Sequence, residues 1–490
     1  MKKIIFISAL AVIILGVSSC KKFLQEKPLT QLSTATYYKT LQDAQGAINA
    51  IYGPIRSDGV FQRQYMQLVD IPSDYAYGRG STAPAGSYTI LDQTNISRVA
   101  TVWSGLYQAI NYANIAIQTI PTITSIDTTT NEALVSEAKF LRAFCYFHLV
   151  INWGAVPLYL STTHNVTKRI PVPDVYNAIV ADLESGELNL PAVPAEEGHP
   201  TKWAAKSFLS LVYLFNGKWD SAQNNALQVI QSGPYSLVQV QQPDDFNNIF
   251  GPSANATSEE IFYLKYNHVN GQGWTWPENL LWPSSQYAPF GNYVVYGNPN
   301  NPFITSWNNN DFRKKFDLFT SYVNQATGDT QQLPSTVPLL CSKFRDPGAT
   351  GTAGFANDYP FLRYADVLLI YAEANDMSNL GGLSPLAIEC LNEVKRRGYG
   401  YPSNSPSPVD YSSSGWTQQS FRDSVLQERA YEQYMEAKRW EDLKRTNTAA
   451  EVILHAKGIT LNPNFLLWPI PQQEINANPQ IGQANQNPGY

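Results

Sequence analysis

Charge is scarce in this sequence. Only 15% of the 490 residues are Asp, Glu, Lys or Arg, and the formal net charge is −6. Lysine and arginine form no long run that would neutralise phosphates, which argues against a nucleic-acid partner. Hydrophobic residues make up 43% of the chain, a fraction typical of globular rather than disordered proteins. Polarity comes instead from Asn, Gln, Ser, Thr and Tyr, which suit neutral, hydroxyl-rich ligands.

Motifs for metal, cofactor or nucleophile chemistry are also missing. After Cys20 the chain has three cysteines, Cys145, Cys341 and Cys390, an odd number without metal spacing, and we expect buried thiols. The five histidines are scattered, and no Gly-x-Ser-x-Gly, phosphate-loop or dinucleotide motif occurs. The sequence therefore predicts no cofactor, no metal and no catalytic residues. A glycosidase stays an alternative, because its two carboxylates leave no sequence signature.

The N-terminus, "MKKIIFISALAVIILGVSSC", has two lysines, a short apolar run and small residues before Cys20. This order resembles a bacterial lipoprotein signal, in which residues 1–19 are removed and the cysteine receives a lipid. An ordinary secretory signal is the alternative. No later stretch approaches eighteen consecutive apolar residues, so we predict a lipid anchor and no spanning helix.

Helical periodicity dominates both ends of the chain. Apolar residues recur at helical spacing over 36–56, 102–120, 131–154 and 175–188, with Gly154 as a plausible C-cap. The segment 201–235 predicts two helices joined by a turn at Gly217, with small residues at their contact, as in tetratricopeptide-like repeats. A second pair is predicted over 358–377 and 384–400, followed by one long helix over 420–445.

Residues 236–357 differ from this scaffold. They are rich in Trp, Asn, Gly and Pro, are too long for a connector, and are too aromatic for disorder. Within them, "GWTWPENLLWPSSQYAPFGNYVVYG" carries seven large rings and one charge, and its prolines exclude a long helix or a central strand. Exposed rings on a loop are unfavourable unless a ligand or a partner covers them.

A sugar ring offers a face of C–H groups and an edge of hydroxyls, which aromatic faces and polar side chains bind respectively. We therefore predict a carbohydrate site whose platform residues are Trp274, Trp276, Trp282, Tyr287, Tyr293 and Tyr296. Asn279, Gln286 and Asn292 are candidates for the hydroxyls. The loop "DYAYGRG" adds a second wall made of Asp74, Tyr75, Tyr77 and Arg79. The alternative is that about half of the platform rings pack beneath the loop as its own core.

The charged residues of the later helices favour a structural role. Glu428, Glu432 and Glu436 form an acidic row at i, i+4 spacing, and the same segment contains Arg429 and Arg439 as compensating charges. Arg363, Asp366 and Glu373 share one face of another predicted helix. These groups are interpreted as ion pairs between helices rather than as glycosidase acids or metal ligands.

Five stretches together resemble the SusD/RagB family of outer-membrane nutrient-binding lipoproteins. They are "CKKFLQEKP", "SEAKFLRAFCYFHLVINWGAVPLYL", "YPFLRYADVLLIYAEA", "ERAYEQYMEAKRWEDLKR" and "LLWPIPQQEINANPQIGQANQNPGY". The resemblance implies a mainly α-helical fold with tetratricopeptide-like helix pairs, lipid-anchored on the outer membrane and expected to face the exterior. It also implies capture of oligosaccharide, or of peptide in some members, for a SusC-like TonB-dependent β-barrel transporter.

These inferences give a predicted organisation. Residues 1–19 are the signal, 20–235 the N-terminal region with helix pairs, 236–357 the ligand-binding insertion and 358–490 the C-terminal helical region. Residues 20–490 are expected to form one compact unit. The predicted function is non-catalytic oligosaccharide binding, with peptide binding and glycoside hydrolysis as alternatives.

Overall fold

A computed structural model describes residues 38–163, 167–194, 196–378 and 382–490. The predicted signal peptide and the lipid-attachment residue Cys20 lie outside these ranges. Within them, no helix combines the length and the apolar character needed to cross a bilayer.

Helices form most of the described structure. They are α1 (Leu41–Ile55), α2 (Gln64–Asp70), α3 (Gln93–Thr119), α4 (Thr128–Trp153), α5 (Val172–Asn189), α6 (Lys202–Phe215), α7 (Trp219–Ser232), α8 (Asn247–Phe250), α9 (Trp276–Leu280), α10 (Pro302–Ser306), α11 (Phe312–Asp317), α12 (Tyr364–Met377), α13 (Pro385–Gly398), α14 (Gln418–Glu432), α15 (Arg439–Arg445), α16 (Ala449–Lys457) and α17 (Gln472–Ala477). The strands are short: β1 (Tyr77–Gly78), β2 (Glu260–Leu264), β3 (Val295–Tyr296), β4 (Leu318–Phe319), β5 (Ser321–Val323), β6 (Thr330–Gln332), β7 (Leu340–Cys341) and β8 (Tyr359–Arg363).

The long helices pack in a continuous series. Helix α1 packs on α3, α3 on α4, α4 on α5, α5 on α6, α6 on α7, and α7 on α12, which also contacts α13 and α14. The N-terminal and C-terminal helical regions thus share one hydrophobic core. The predicted mainly α-helical fold with helix pairs and minor β structure is confirmed.

Local sequence signals fix the helix ends. Asp92, Asp127 and Thr201 precede α3, α4 and α6, and each side chain accepts a hydrogen bond from a backbone N–H of the first turn. Helix α4 ends at Gly154, whose φ of 72° is accessible to glycine at little cost, as the C-cap prediction required.

Three helix predictions were wrong in detail. Helix α3 begins at Gln93 and not at 102. The segment "YPFLR" forms β8, which pairs antiparallel with β2, and α12 begins only at Tyr364. The long helix predicted over 420–445 is broken into α14 and α15, because Met435 and Ala437 adopt left-handed backbone angles. Asp70 Oδ2 accepts the N–H of Ala437 at 2.9 Å, so a tertiary hydrogen bond replaces a helical one at this break.

The acidic row lies inside the protein and holds elements together. Arg363 contacts Glu432 at 2.7 Å and Glu436 at 2.8 Å, and all three side chains are buried. Further pairs in this buried ion network are Arg313–Glu428, Lys343–Glu436, Arg363–Glu259, Arg397–Glu259 and Arg397–Glu432. The structural interpretation is confirmed.

Most of the compensating charges come from other elements, although within the segment 420–445 Lys438 contacts Glu436 at 3.1 Å. Arg429 pairs with Asp442, and Arg439 with Asp74. Asp366 binds Lys438, and Glu373 binds Arg445. No group of three or more potential metal ligands occurs among the described residues.

The segment 236–357 is irregular, as predicted, and contains its own small core. Buried residues of this second hydrophobic cluster are Leu281, Ala288, Phe319, Tyr322, Leu333, Val337, Leu340, Ala349 and Phe355. Short antiparallel pairs, β4 with β7 and β5 with β6, support it. The cluster holds the surface portion of the aromatic stretch in place.

Candidate ligand-binding site

The first two tryptophans of the predicted platform are in the core. Trp274 and Trp276 have no exposed surface. Their indole N–H groups donate to the carbonyl oxygens of Phe61 at 2.9 Å and Met435 at 3.1 Å. A buried tryptophan needs such an acceptor, and these hydrogen bonds join the insertion to both helical regions. Neither ring offers a face to a ligand, which corrects their assignment to the platform.

Two residues of the predicted second wall are also internal. Asp74 forms a bidentate pair with Arg439, with N–O distances of 3.0 and 2.9 Å. Tyr75 is fully buried, and its ring packs 4.5 Å from that of Tyr434, centroid to centroid. Both side chains fix the start of the loop and are unavailable to a ligand.

The other residues of the predicted platform and of the predicted second wall lie next to each other. Strand β1 pairs antiparallel with β3, so that Tyr77 lies opposite Tyr296 with their rings stacked at 5.7 Å. Arg79 follows β1, and its backbone N–H donates to the carbonyl of Val294 at 2.9 Å. Loop 74–79 and the end of the aromatic stretch therefore form one surface.

Four rings of the platform are half-buried and reach that surface: Trp282, Tyr287, Tyr293 and Tyr296. With Phe290 they pack on the second hydrophobic cluster, and we call these five residues the aromatic ridge. The rings of Trp282 and Tyr293 stack with centroids 4.3 Å apart, and the guanidinium of Arg79 lies 4.0 Å from the centre of the Tyr293 ring. Arg79, Tyr293 and Trp282 thus form a cation–π and aromatic stack at the protein surface.

Gly291 allows the ridge to fold back on itself. A Cβ atom placed on Gly291 would lie 2.3 Å from the carbonyl oxygen of Leu281 and 2.7 Å from the carbonyl carbon of Trp282. The backbone N–H of Tyr293 donates to Leu281 O at 3.2 Å across the same contact. Only glycine permits this approach, which brings Tyr293 against Trp282.

A polar cleft of about 600 Å³ adjoins the ridge. We call it the arginine cleft. Its lining residues are Arg63, Gln64, Gln67, Arg79, Gly80, Ser81, Thr82, Arg98, Asn279, Asn292 and Val294. Arg79 and Asn292 connect the cleft to the ridge, because Arg79 stacks on Tyr293 and its Nη2 donates to the carbonyl of Asn292 at 3.2 Å.

Polar side chains in the cleft are held by the scaffold. Gln67 Nε2 donates to Asn279 Oδ1 at 2.8 Å, and Asn279 Nδ2 donates to the carbonyl of Thr275 at 2.8 Å. The Oε1 atom of Gln64 is buried and has no hydrogen-bond partner within the described residues. Three side chains were predicted to bind sugar hydroxyls. Asn279 and Asn292 line the cleft, whereas Gln286 Oε1 accepts the backbone N–H of Val323.

Burial shifts several ionisable groups around this surface. It lowers the pKa of Arg98, and the nearby positive charge of Arg63 lowers it further, against an opposing effect of Asp92. Burial raises the pKa of Glu278, while Arg63 acts in the opposite direction. Burial also lowers the pKa of Lys457, behind Tyr77, to about 7. Its Nζ lies 4.6 Å from the centre of the Tyr77 ring and donates to the backbone carbonyl of Ala76.

Sequence reasoning missed Arg63, Gln64, Gln67 and Arg98. Arg63 to Gln67 lie at the start of α2, in a segment for which no helix was predicted, and Arg98 is a single basic residue on α3. None of them belongs to a motif, and only the packing of α2, α3 and the 79–82 turn brings them together. No sequence signal identifies this set.

Two family profiles together span most of the chain. One, described as "SusD family", matches residues 253–490, and the other, described as "Starch-binding associating with outer membrane", matches residues 22–214. SusD-like protein P2 of Formosa agariphila is 27% identical over 514 residues, which cover 98% of each chain.

Solved structures share the fold. A SusD homolog from Bacteroides thetaiotaomicron superposes with a TM-score of 0.80 at 22% identity and covers 93% of this chain and 98% of its own. A laminarin-binding SusD-like protein superposes with a TM-score of 0.74 at 23% identity, covering 92% of this chain and all of its own.

Proposed function

Since the chain belongs to the SusD/RagB family, we propose that it is a surface lipoprotein that binds an oligosaccharide without altering it. The proposal extends to release of the bound sugar to a SusC-like TonB-dependent outer-membrane transporter. The observation that carries the binding step is the stack of Arg79, Tyr293 and Trp282 beside the arginine cleft.

The ridge and the cleft offer the two kinds of contact that a sugar requires. The half-buried ring of Trp282 provides a flat apolar surface for the C–H face of a pyranose. The amides of Gln64, Gln67, Asn279 and Asn292 supply donors and acceptors for hydroxyl groups. The second hydrophobic cluster holds Trp282, and hydrogen bonds hold Gln67 and Asn279, so these groups lose little conformational freedom on binding.

The side chains that line the arginine cleft favour binding of a sugar over its hydrolysis. The arginine cleft has no Asp or Glu among its lining residues. A glycosidase of the usual kind needs two carboxyl groups about 5–9.5 Å apart on either side of the scissile bond. The acidic row of Glu428, Glu432 and Glu436 does not supply them, because its members are buried and paired with arginine or lysine.

Membrane location and the transporter are parts of the proposal that the family suggests. One matching profile is described as associating with the outer membrane, and the sequence has a lipoprotein-like signal ending at Cys20. A laminarin-binding protein and a surface glycan-binding protein of Bacteroides fluxus share the fold, with TM-scores of 0.74 and 0.75. On the basis of these similarities, glycans, among them β-glucans and starch, are the first ligands to test.

The binding step is tested by isothermal titration calorimetry of the full chain against a panel of plant, host and microbial oligosaccharides. We expect saturable binding of at least one glycan and no new reducing ends after overnight incubation. Trp282→Ala should abolish or strongly weaken the binding. Trp203→Ala, which removes a half-buried tryptophan from α6, is the matched control and should bind as the parent does. New reducing ends would instead support the glycosidase alternative.

The transporter step needs a separate test. Purification of the tagged chain from its native membrane should recover a TonB-dependent β-barrel protein, and deletion of that protein should stop uptake of the bound glycan. A chain that binds the glycan but recovers no such barrel would contradict the transfer step and leave the binding step in place.

A further inference from the structure

Three guanidinium groups line the arginine cleft. Arg63 directly precedes α2, Arg79 follows β1, and Arg98 lies on α3. Three different elements thus bring positive charge to one concave surface. This is unexpected in a chain whose formal net charge is −6.

Only one of these charges is paired. Arg63 Nη2 lies 2.6 Å from Asp58 Oδ2, in a pair that is exposed to solvent by more than a third on each side. Arg79 donates to the carbonyl of Asn292 and stacks on Tyr293. Arg98 donates to the Ser81 carbonyl at 2.8 Å, to Ser81 Oγ at 2.7 Å and to Asn95 Oδ1 at 2.6 Å. In the described part of the chain, neither Arg79 nor Arg98 has a carboxylate within 4.0 Å.

Three arginines of the buried ion network have charged partners instead. In the buried ion network, Arg313, Arg363 and Arg397 each contact at least two carboxylates. In the cleft, Arg79 and Arg98 instead donate hydrogen bonds to uncharged oxygens. Burial lowers the pKa of Arg98 and the positive charge of Arg63 lowers it further, against an opposing effect of Asp92. A negatively charged ligand would offset the repulsion between these two positive charges.

Resting on the proposed function, we propose that the glycan bound in the arginine cleft is acidic. One of its units carries a uronate carboxylate or a sulfate ester, which Arg79 and Arg98 bind with support from Arg63. The planar guanidinium group suits both anions, because its N–H groups match two oxygens at once. Gln64, Gln67 and Asn279 then contact the neighbouring hydroxyls, which distinguishes a sugar acid from a free inorganic ion.

The test is calorimetry of the full chain with matched glycan pairs. Oligogalacturonates are compared with their carboxyl-reduced counterparts, and sulfated carrageenan oligosaccharides with their desulfated counterparts. We expect one charged member to bind at least about tenfold more tightly than its neutral counterpart, as hydrogen bonds to charged groups allow. The carboxylate and sulfate arms identify which anion is preferred. Raising the salt concentration from 50 to 500 mM should reduce the preference, because this surface is open to screening.

Single-residue variants test whether the anion binds within the cleft. Arg79→Gln removes an exposed charge and should bring the affinity ratio of the charged to the neutral glycan close to one, whereas Arg79→Lys should retain part of the preference. Arg98→Gln should lower the same ratio, with thermal melting used to verify folding. Lys218→Gln, an exposed charge at the start of α7, is the control and should leave the ratio unchanged.

The outcomes separate the two proposals. Equal binding of charged and neutral members would overturn the acidic-ligand inference while leaving glycan binding intact. A preference that survives both Arg79→Gln and Arg98→Gln would overturn it as well, because the anion would then lie elsewhere. Failure to bind any glycan in the panel of neutral and acidic sugars would remove the proposed function itself.

Discussion

The two halves of the segment 273–297 occupy opposite environments. Trp274 and Trp276 are fully buried and hydrogen-bonded to the backbone of distant segments, whereas Trp282 and Tyr293 stack at the surface beside an unpaired arginine. The first half anchors the insertion to the helical scaffold, and the second half presents rings outward. Aromatic richness in an irregular segment thus has two causes, and composition alone does not separate them.

The difference follows from what lies beneath each half. Trp274 packs edge-on against Phe344 and stacks with Tyr266 in the main core. Trp282 and Tyr293 lie over the small second hydrophobic cluster, which covers only one side of the ridge. A large core encloses a ring completely, while a small one leaves part of it exposed.

Removing a buried ring tests the anchor half and should have the largest effect. Trp276→Ala deletes a fully buried side chain and leaves the Met435 carbonyl without its donor. We expect the free energy of unfolding to fall by about 3–5 kcal/mol, measured by urea denaturation. Glycan affinity of the molecules that remain folded should change little. A loss of stability below about 1 kcal/mol would show that this ring is not an anchor.

Charged groups show a similar contrast, because the carboxylates of the buried ion network are paired, whereas Arg79 and Arg98 in the cleft have no carboxylate within 4.0 Å among the described residues. Burial alone would raise the pKa of Glu436, but Arg363, Lys343 and Lys438 hold it at about 2, below its ordinary value of 4.5. Because the folded-state pKa is depressed, the stabilisation is present above pH 4.5 and is lost as the pH falls toward 2. We expect the free energy of unfolding to fall by on the order of 3 kcal/mol over this window.

Urea denaturation at each pH measures that profile. Asp70, whose burial raises its pKa to about 8, acts above this window, where it reduces stability as the pH rises toward 8. Glu451→Gln, which neutralises an exposed acid on α16, should leave the profile unchanged. Stability that stays constant between pH 4.5 and 2.5 would contradict the role given to the ion network.

Removing a ridge ring should affect the ligand more than the fold. Trp282→Ala deletes the stacking partner of Tyr293, and we expect glycan affinity to fall by about 2 kcal/mol, as for a central aromatic contact. The loss of stability should be clearly smaller than that of Trp276→Ala, because Trp282 is only half-buried. If the two variants lose equal stability and Trp282→Ala binds normally, the distinction between the halves fails.

The turn within the surface half offers the finest perturbation. Gly291→Ala adds one methyl group against the backbone of Leu281 and Trp282, and we expect about 1 kcal/mol of destabilisation together with weaker glycan binding, because Tyr293 moves relative to Trp282. Gly53→Ala in α1 is the matched control, since its added Cβ meets no atom within 4 Å. Thermal melting and calorimetry on both variants make the comparison. Normal binding by Gly291→Ala would show that the stack tolerates displacement.

Much of the scaffold could be predicted from local patterns. Apolar periodicity and the C-cap at Gly154 predicted a helix over 131–154, within a few residues of the observed α4, because these signals act over short distances along the chain. The break between α14 and α15 could not be predicted in this way. It depends on Asp70, more than 360 positions away, which accepts the N–H of Ala437.

The candidate site likewise contains features that the sequence predicts and features that depend on distant contacts. The pattern predicted that rings of 273–297 and the loop at Arg79 belong to one surface, but it did not distinguish Trp276 from Trp282. That distinction depends on whether a distant backbone carbonyl, here that of Met435, reaches the indole N–H. Arg63 and Arg98 were not predicted, because only the packing of the helices places them in one cleft with Arg79.

A crystal structure of the full chain with a bound oligosaccharide tests the central claim most directly. The glycan identified by calorimetry is used at a saturating concentration. We predict that one sugar ring lies against Trp282 and that the adjoining unit enters the cleft between Arg79 and Arg98. A sugar found instead on the helix pairs of α4 to α7, with the ridge and the cleft empty, would contradict it.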